Sequence, residues 1–197
     1  ANFYRRLAYD EIFSTFLVNS EIRKKIKKFK KKKKFFDLKK QNAVIDKLDF
    51  FLTSDQLKAL DDINKDLNSS TKMFRLIQGD VGSGKTIISL IAALNTINSG
   101  FQVAVMAPTE ILARQHFLLA KKIFAKEINI KLLSGKSNYI EKKEILKELS
   151  NNKINIIFGT HAIFQKKVNF NKLGLIIIDE QHKFGVNQRK KLSDKGG

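Results

Sequence analysis

The chain has 197 residues, a formal net charge of +19, no cysteine, no tryptophan and a single proline. The missing cysteine excludes a disulfide framework and a thiolate metal site, and 29% of charged residues argues against a membrane protein or a low-complexity chain. With 43% hydrophobic residues, this length is sufficient for one globular domain with a core of its own.

Three features of the sequence bear on where the protein resides and on whether the chain is a fragment. Charged and apolar side chains are mixed over residues 5–11, unlike the apolar centre of a signal peptide, so we expect a cytoplasmic protein. The longest aliphatic run, residues 175–178, is far shorter than the ~20 apolar residues of a transmembrane helix, so we expect no membrane partner. Because the chain starts at Ala1 rather than Met and stops at Gly197, we expect a fragment.

Positive charge is concentrated near the amino end. Residues 1–47 hold 15 basic and 5 acidic side chains, whereas residues 48–197 hold 23 and 14. A basic face attracts the phosphate backbone of nucleic acid. However, only six of the 38 basic residues are arginine, and the chain is rich in Asn, Ile and Phe, which is typical of AT-rich codons. Much of the charge therefore needs no ligand to explain it.

The first predicted region is a basic helical linker over residues 1–48. Helical periodicity runs through residues 3–30, and apolar residues at i, i+4 and i+7 give the basic run at 23–34 a thin apolar stripe. A short apolar segment follows at residues 35–38. The basic helix is either a solvated linker or one that lies along phosphates, and both alternatives stay open.

Beyond residue 48, helix and strand patterns alternate. A helix follows Thr53, with apolar residues at helical spacing through Leu67. Strands are predicted at residues 74–78, 102–107, 130–133, 154–158 and 175–178, with helices at 85–97, 110–126 and 139–150. This alternation is typical of an α/β domain in which helices cover both faces of a parallel sheet. We predict one such domain over residues 49–197.

A phosphate-binding loop is predicted between the first strand and its helix. It fits G-x-x-x-x-G-K-[ST] and consists of Gly79, Asp80, Val81, Gly82, Ser83, Gly84, Lys85 and Thr86. In such a loop backbone N–H groups surround the β-phosphate, Lys85 neutralises β- and γ-phosphate oxygens, and the Thr86 hydroxyl ligates Mg²⁺. A glycine-rich turn without a ligand is the alternative, which Lys-Thr at this offset disfavours. We therefore expect ATP and Mg²⁺ as cofactors.

Two carboxylates end the last predicted strand. Asp179 is expected to hold Mg²⁺ through water, and Glu180 to orient and polarise the water that attacks the γ-phosphate. Taken alone, two carboxylates at the end of a strand are more often exposed acidic residues without a catalytic role. The phosphate loop upstream reverses that preference. We predict Lys85, Asp179 and Glu180 as catalytic residues.

Smaller motifs carry a more specific resemblance. D-E-Q-H at residues 179–182 is similar to the DExH box of superfamily 2 helicases, and stretches at 53–56, 107–113 and 159–162 resemble its Q motif and motifs Ia and Ic. Together, GDVGSGKT, MAPTEILARQH, GTHAIFQ and IIIDEQHKFGVNQR resemble the RecG family of bacterial branched-DNA helicases, with Lys183 in place of its usual arginine. FYRRLAYDEIF is similar to that family's connection between wedge and motor domains.

The resemblance implies a RecA-like P-loop fold and an ATP-dependent DNA helicase or translocase that remodels stalled replication forks and Holliday junctions. Its partners would be branched or forked DNA, and a wedge domain and a second RecA-like lobe of the full-length chain, in a monomeric motor. A piece that stops before motif III would have little activity alone. The alternatives are the motor of transcription-repair coupling factor, an RNA helicase of the same superfamily, and a non-catalytic nucleic-acid-binding P-loop module.

The resemblance also implies roles for residues around the nucleotide. Gln56 would read adenine with Phe51 near the base, although Thr53 and Gln56 also satisfy a capping box. Gln181 and His182 would couple ATP to DNA. The remaining histidines, like His182, lie in helicase-like stretches; taken singly, each is more often structural than functional. These histidines are His116 and His161.

Loops at the carboxyl ends of the strands are the expected DNA contacts. Open parallel sheets present their ligand loops at this edge, and contacts from backbone N–H groups and hydroxyls to phosphates carry no sequence information. The candidates are Pro108, Thr109, Arg114, Gln115, Ser134, Gly135, Thr160 and His161. For Arg114 and Gln115 a solvent-facing helix is an equal alternative.

Overall fold

The computed structural model describes residues 33–34, 37–79 and 82–179. Several parts of the sequence prediction lie outside the described residues. They are the helix at residues 3–30, nearly all of the basic run, Asp80, Val81, Glu180, Gln181 and His182. The elements are α1 Leu38–Ile45, α2 Ser54–Asn68, α3 Lys85–Asn98, β1 Gln102–Met106, α4 Glu110–Ile123, β2 Ile130–Leu133, α5 Tyr139–Ser150, β3 Ile156–Gly159, a 3₁₀ helix His161–Phe164 and β4 Leu173–Ile178.

The four strands form one parallel sheet in the order β2-β3-β1-β4. Met106 pairs with Gly159 on one side and Ile178 on the other, and Gly159 pairs with Leu133. The last residues of all four strands are therefore level. As a result, every loop that follows a strand emerges at the same edge of the sheet, and the predicted α/β parallel-sheet class is confirmed.

Helices cover both faces of this sheet because the strand side chains alternate. Val103 and Val105 face the core beneath α3 and α4, whereas Ala104 and Met106 face the core that contains α5 and the 3₁₀ helix. Every residue of β1 is buried, as expected for a strand covered on both sides. Helix α2 packs on α3 and adds Leu60 to the first core.

The strand predicted at residues 74–78 is wrong, because in the described chain these residues are not paired into the sheet. The segment is attached to α2 instead. Arg75 Nε donates to Asp66 Oδ2 at 2.9 Å, and its Nη1 lies 3.4 Å from Asp62 Oδ2. Ile77 packs against the first core. The apolar pattern that predicted a strand therefore reflects side-chain packing without ladder hydrogen bonds.

Helix α1 packs into the same core as the sheet. Val44 is buried there, and Gln41 Oε1 accepts hydrogen bonds from Asn64 Nδ2 at 2.9 Å and Asn95 Nδ2 at 2.7 Å. This buried amide cluster joins α1, α2 and α3. Packing is therefore continuous across the boundary predicted between residues 48 and 49, which stays a prediction.

The end of the basic run is also packed rather than solvated. Lys34 is 4% exposed, with its Nζ 4.9 Å from the centre of the Phe101 ring, and its backbone N–H donates to Leu67 O at 3.2 Å. Its aliphatic stem is buried while the ammonium lies over an aromatic face. Over the part of the chain that the structure describes, no helix is both long and apolar enough to cross a bilayer.

Candidate functional site

The phosphate loop meets α3 at a pair of glycines with positive φ. Gly82 and Gly84 have φ of +82° and +78°, a region in which other residues are strained. Gly84 is the N-cap of α3 and offers no side chain to cap it. A helix amino end without a side-chain cap is suited to bind an anion through its N–H groups and dipole. This local geometry is compatible with phosphate binding, and the phosphate site stays a prediction.

Lys85 folds across this loop. Its Nζ donates to Gly79 O at 2.5 Å and lies 3.4 Å from Ser83 Oγ. An ammonium has three donors, so phosphate oxygens can take over such contacts. Next to the loop lies a cleft of about 410 Å³, which we call the nucleotide cleft. It is lined by Phe50, Gln56, Gly82, Ser83, Gly84, Lys85, Thr86 and Ile87.

Gln56 joins α2 to the phosphate loop. Its Oε1 accepts from Thr53 N at 2.8 Å and Thr53 Oγ1 accepts from Gln56 N at 3.3 Å, so the capping box is confirmed. The amide nitrogen of Gln56 donates to Ser83 O at 2.8 Å. Both ends of the amide are therefore bound within the protein. The amide keeps one further N–H and one further oxygen lone pair, so Gln56 could read adenine while it retains these contacts, and that role stays a prediction.

The structure puts Phe50, not Phe51, on the wall of the cleft. Phe51 is 99% exposed, whereas Phe50 is 48% exposed and lines the cavity. Both residues precede the Thr53 N-cap in non-helical backbone. Phe50 is therefore the aromatic side chain that lines the cleft, and the contact of Phe51 with the base stays a prediction.

Asp179 is positioned through both its backbone and its side chain. Its N–H donates to Met106 O at 2.9 Å, which continues the β1–β4 pairing past the end of β4. Its Oδ2 lies 2.8 Å from Nε2 of His116 on α4, and the His116 side chain is only 12% exposed. His116 was not predicted as a site residue. Its one signal was its place in MAPTEILARQH, since 63 residues separate the pair.

The residues present fit a magnesium ion that binds together with phosphate. Thr86 lines the cleft and supplies a hydroxyl, and Asp179 supplies a carboxylate. Mg²⁺ prefers such oxygen ligands and usually needs only one or two of them beside substrate phosphates. No group of three or more His, Cys, Asp or Glu that could hold a metal occurs within residues 33–34, 37–79 and 82–179. The Thr86 hydroxyl and the Asp179 carboxylate are therefore oxygen ligands that such an ion could use.

The predicted DNA residues lie along the edge where the strands end. Residues 107–109 follow β1, residues 134–135 follow β2 and residues 160–161 follow β3; we call these the strand-end loops. Because the strand ends are level, these loops share the edge with Asp179. Among the predicted contacts the exposed ones are Thr109, Arg114, Gln115, Gly135 and His161, with Pro108 and Thr160 half-buried and Ser134 buried.

A carboxylate already occupies donors in one of these loops. The backbone N–H of Gly135 donates to Glu110 Oε1, and Ser134 Oγ donates to Glu110 Oε2 at 3.2 Å. Thr109 Oγ1 accepts from Leu112 N at 3.3 Å as the N-cap of α4. Glu110, which was not predicted as a site residue, therefore holds the anion position that Ser134 and Gly135 were expected to offer to a DNA phosphate.

Comparison with known proteins gives a consistent picture. The family model of the DEAD/DEAH box helicases matches residues 53–195. The chain is 44% identical over 195 residues to the ATP-dependent DNA helicase RecG of Aquifex aeolicus and 45% identical over 195 residues to that of Borreliella burgdorferi. Each alignment covers 98% of this chain but only 25% and 28% of the relative, so the chain spans about a quarter of the length of these relatives.

Solved structures agree with the sequence relatives. RecG bound to a three-way DNA junction superimposes with a TM-score of 0.79 and 42% identity, over 92% of this chain and 25% of that one. The UvsW helicase of bacteriophage T4 superimposes with a TM-score of 0.59 over 84% of this chain and 58% of that one; at 16% identity this likeness shows the fold alone. The chain therefore belongs to the DEAD/DEAH box helicase family.

Proposed function

We propose that these residues are the first motor domain of an ATP-dependent DNA helicase or translocase that remodels branched DNA, such as stalled forks and Holliday junctions. One observation carries the proposal: Asp179 and the strand-end loops share one level edge of the sheet. A nucleotide-dependent movement at Asp179 can therefore reach DNA directly. The 44% identity to RecG of Aquifex aeolicus supports DNA as the substrate.

In this proposal the chain's own groups bind and orient ATP. Lys85 exchanges its contact with Gly79 O for β- and γ-phosphate oxygens, and the N–H groups at the start of α3 surround the phosphate. Thr86 and Asp179 would hold Mg²⁺, which when bound neutralises charge that develops on the phosphates. Glu180 would orient the attacking water. Phe50 offers an aromatic surface to the base.

DNA would be held by its backbone rather than by its bases. Hydroxyls and N–H groups of the strand-end loops, with Arg114 and Gln115 beside them, suit phosphate oxygens. The 15 basic residues of the first 47 would add sequence-independent attraction. A helical linker, a wedge domain and a second RecA-like lobe complete the proposed monomeric motor, with Gln181 and His182 as coupling residues. Without that second lobe we expect little activity.

The proposal is tested with the full natural polypeptide that contains these residues. ATP hydrolysis should rise when forked DNA is added, and forked DNA should be unwound in preference to duplex RNA. Lys85→Ala should lower the hydrolysis rate by at least about 10²-fold, because a preorganised charge on the transferred phosphoryl group is lost. Junction binding, measured by fluorescence anisotropy, should stay within twofold of wild type.

Three outcomes of this experiment would contradict the proposal. Hydrolysis that survives in Lys85→Ala would mean that the phosphate site is assigned to the wrong residues. Preferential unwinding of duplex RNA would favour an RNA helicase. Junction binding without hydrolysis by the wild-type protein would favour a non-catalytic module.

A further inference from the structure

His116 and Asp179 form a long-range side-chain bond at the proposed magnesium carboxylate. Nε2 and Oδ2 are 2.8 Å apart, and both side chains are largely withdrawn from solvent, with exposures of 12% and 32%. An ionised carboxylate can only accept hydrogen bonds, so the ring N–H is the donor. The bond therefore restricts rotation of the carboxyl group that the proposed function assigns to Mg²⁺.

The two ends of this bond are anchored to different parts of the molecule. Asp179 is fixed to the sheet through its backbone bond to Met106 O. His116 belongs to α4, which begins at the Thr109 N-cap in a strand-end loop. Arg114 and Gln115, two predicted DNA contacts, directly precede it and are exposed. A shift of α4 that follows engagement of a DNA strand would thus move the donor that orients Asp179.

We propose that His116 is a positioning residue: it orients the Asp179 carboxylate toward Mg²⁺ and couples the DNA-facing helix α4 to the nucleotide site. This inference rests on the proposed function. A positioning role can be distinguished from a purely structural one. A contact that only stabilised the packing of α4 near β4 would affect folding but not the magnesium dependence of nucleotide binding. A carboxylate has about four acceptor positions, so a bond from His116 is compatible with its simultaneous use toward a metal-bound water.

The first test measures nucleotide affinity with and without magnesium in the full natural polypeptide. A fluorescent ATP analogue is titrated in EDTA and again in excess Mg²⁺. His116→Leu should leave the affinity in EDTA unchanged and reduce the Mg²⁺-dependent gain about tenfold or more, as loss of a group that orients a metal ligand does elsewhere. His116→Gln, whose amide nitrogen can stand where Nε2 stands, should restore most of that gain.

The second test measures coupling. In the wild type, Mg²⁺ with a non-hydrolysable ATP analogue should change the affinity for labelled forked DNA by some factor, and reciprocity requires DNA to change nucleotide affinity by the same factor. In His116→Leu this factor should fall toward one, while DNA affinity in the absence of nucleotide stays as in the wild type. Leu118→Ala, at a 56% exposed position of the same helix, serves as the control and should behave as wild type.

The outcomes separate this inference from the proposed function. An unchanged Mg²⁺-dependent gain in His116→Leu, or an equal loss of affinity in EDTA and in Mg²⁺, would overturn the role of His116. If His116→Leu fails to fold, as judged by its thermal melting curve, His116→Gln decides: retention of both the gain and the coupling factor supports the role, and their loss in a folded protein overturns it. Failure of the wild-type protein to bind ATP would instead contradict the proposed function.

Discussion

The nucleotide cleft and the strand-end loops both carry donors suited to phosphate, and in both places those donors are bound to acceptors of the protein itself. The acceptors differ. In the cleft, Lys85 Nζ contacts the neutral carbonyl of Gly79, six residues away in the same loop. In the strand-end loops, Ser134 and Gly135 contact the carboxylate of Glu110, which belongs to α4 and lies 24 and 25 residues away in sequence.

This difference has an energetic consequence. Each of these contacts pairs one charged group with one neutral group, so the bonds are of similar strength, about 1.5–3 kcal/mol each. They differ in the charge that an incoming phosphate meets, which is an ammonium in the cleft and a carboxylate in the loop. A nucleotide phosphate that approaches Lys85 displaces a neutral carbonyl, while a DNA phosphate that approaches Gly135 must displace a carboxylate that also repels it. We therefore expect the cleft to accept its ligand with little rearrangement, and the loop to require movement of Glu110.

The largest effect is expected from Gly84→Ala in the cleft. A Cβ at residue 84 would lie 2.5 Å from Nε2 of Gln56, so the contact from that amide to Ser83 O would be broken. The φ of +78° adds strain of about 1–2 kcal/mol for a residue with a side chain. Nucleotide affinity should fall at least about tenfold, measured with a fluorescent ATP analogue, which corresponds to about 1.4 kcal/mol.

Gly100→Ala is the matched control for this change. Gly100 has a φ of +82°, but no atom lies within 4 Å of the position its Cβ would take. Thermal unfolding should show a similar loss of stability in both variants, because the backbone strain is similar. Nucleotide affinity should fall only in Gly84→Ala. An equal fall in both would mean that general destabilisation, and not the Gln56 contact, governs the cleft.

A smaller effect, of opposite sign, is expected from Glu110→Gln in the strand-end loops. The amide keeps the shape of the side chain but binds Ser134 and Gly135 more weakly, by about 1 kcal/mol, and no longer repels phosphate. Affinity for labelled forked DNA should rise about fivefold in low salt, a factor that corresponds to about 1 kcal/mol. Nucleotide affinity should not change.

The control for Glu110→Gln is Glu141→Gln, which removes the same charge from the first turn of α5. Glu141 is exposed, and the carboxylate that binds Ser134 and Gly135 is that of Glu110. If both variants raise DNA affinity equally, the gain reflects net charge alone and the loop does not bind DNA through Ser134 and Gly135.

The same contrast explains which parts of the molecule could be predicted from sequence. Helices α3 and α5 and strand β2 match their predicted positions within a residue, because local periodicity and caps determine them. The phosphate loop was assigned from a similarly local pattern of eight consecutive residues, and its role stays a prediction. Local patterns of this kind are readable without knowledge of the fold.

What could not be predicted depends on residues that are distant in sequence. The bond from His116 to Asp179 spans 63 residues, and the bonds from Ser134 and Gly135 to Glu110 span 24 and 25. Residues 74–78 have a strand-like composition, yet Arg75 binds the carboxylates of α2 and the segment stays outside the sheet. Such outcomes are set by competition between tertiary contacts, on which the local pattern has no influence.

The smallest effects are expected from removal of the two threonine N-caps, one for each region. Thr53 caps α2 beside the cleft and Thr109 caps α4 in a strand-end loop, each through its Oγ1 and the N–H three residues on, at 3.3 Å. Thr53→Ala and Thr109→Ala should each lower the free energy of unfolding by about 1 kcal/mol in urea, since each leaves one helix donor without its partner.

Because these two losses of stability are matched, any difference between the variants reports on function. Thr53→Ala loosens the capping box that holds Gln56 against Ser83 O, so nucleotide affinity should fall about twofold to threefold while DNA affinity is unchanged, consistent with a few tenths of a kcal/mol. Thr109→Ala removes a hydroxyl proposed to contact phosphate, so DNA affinity should fall by a similar factor while nucleotide affinity in the absence of DNA is unchanged. If both variants lose both affinities together, the cleft and the loops respond as one unit, and the separation drawn between them is incorrect.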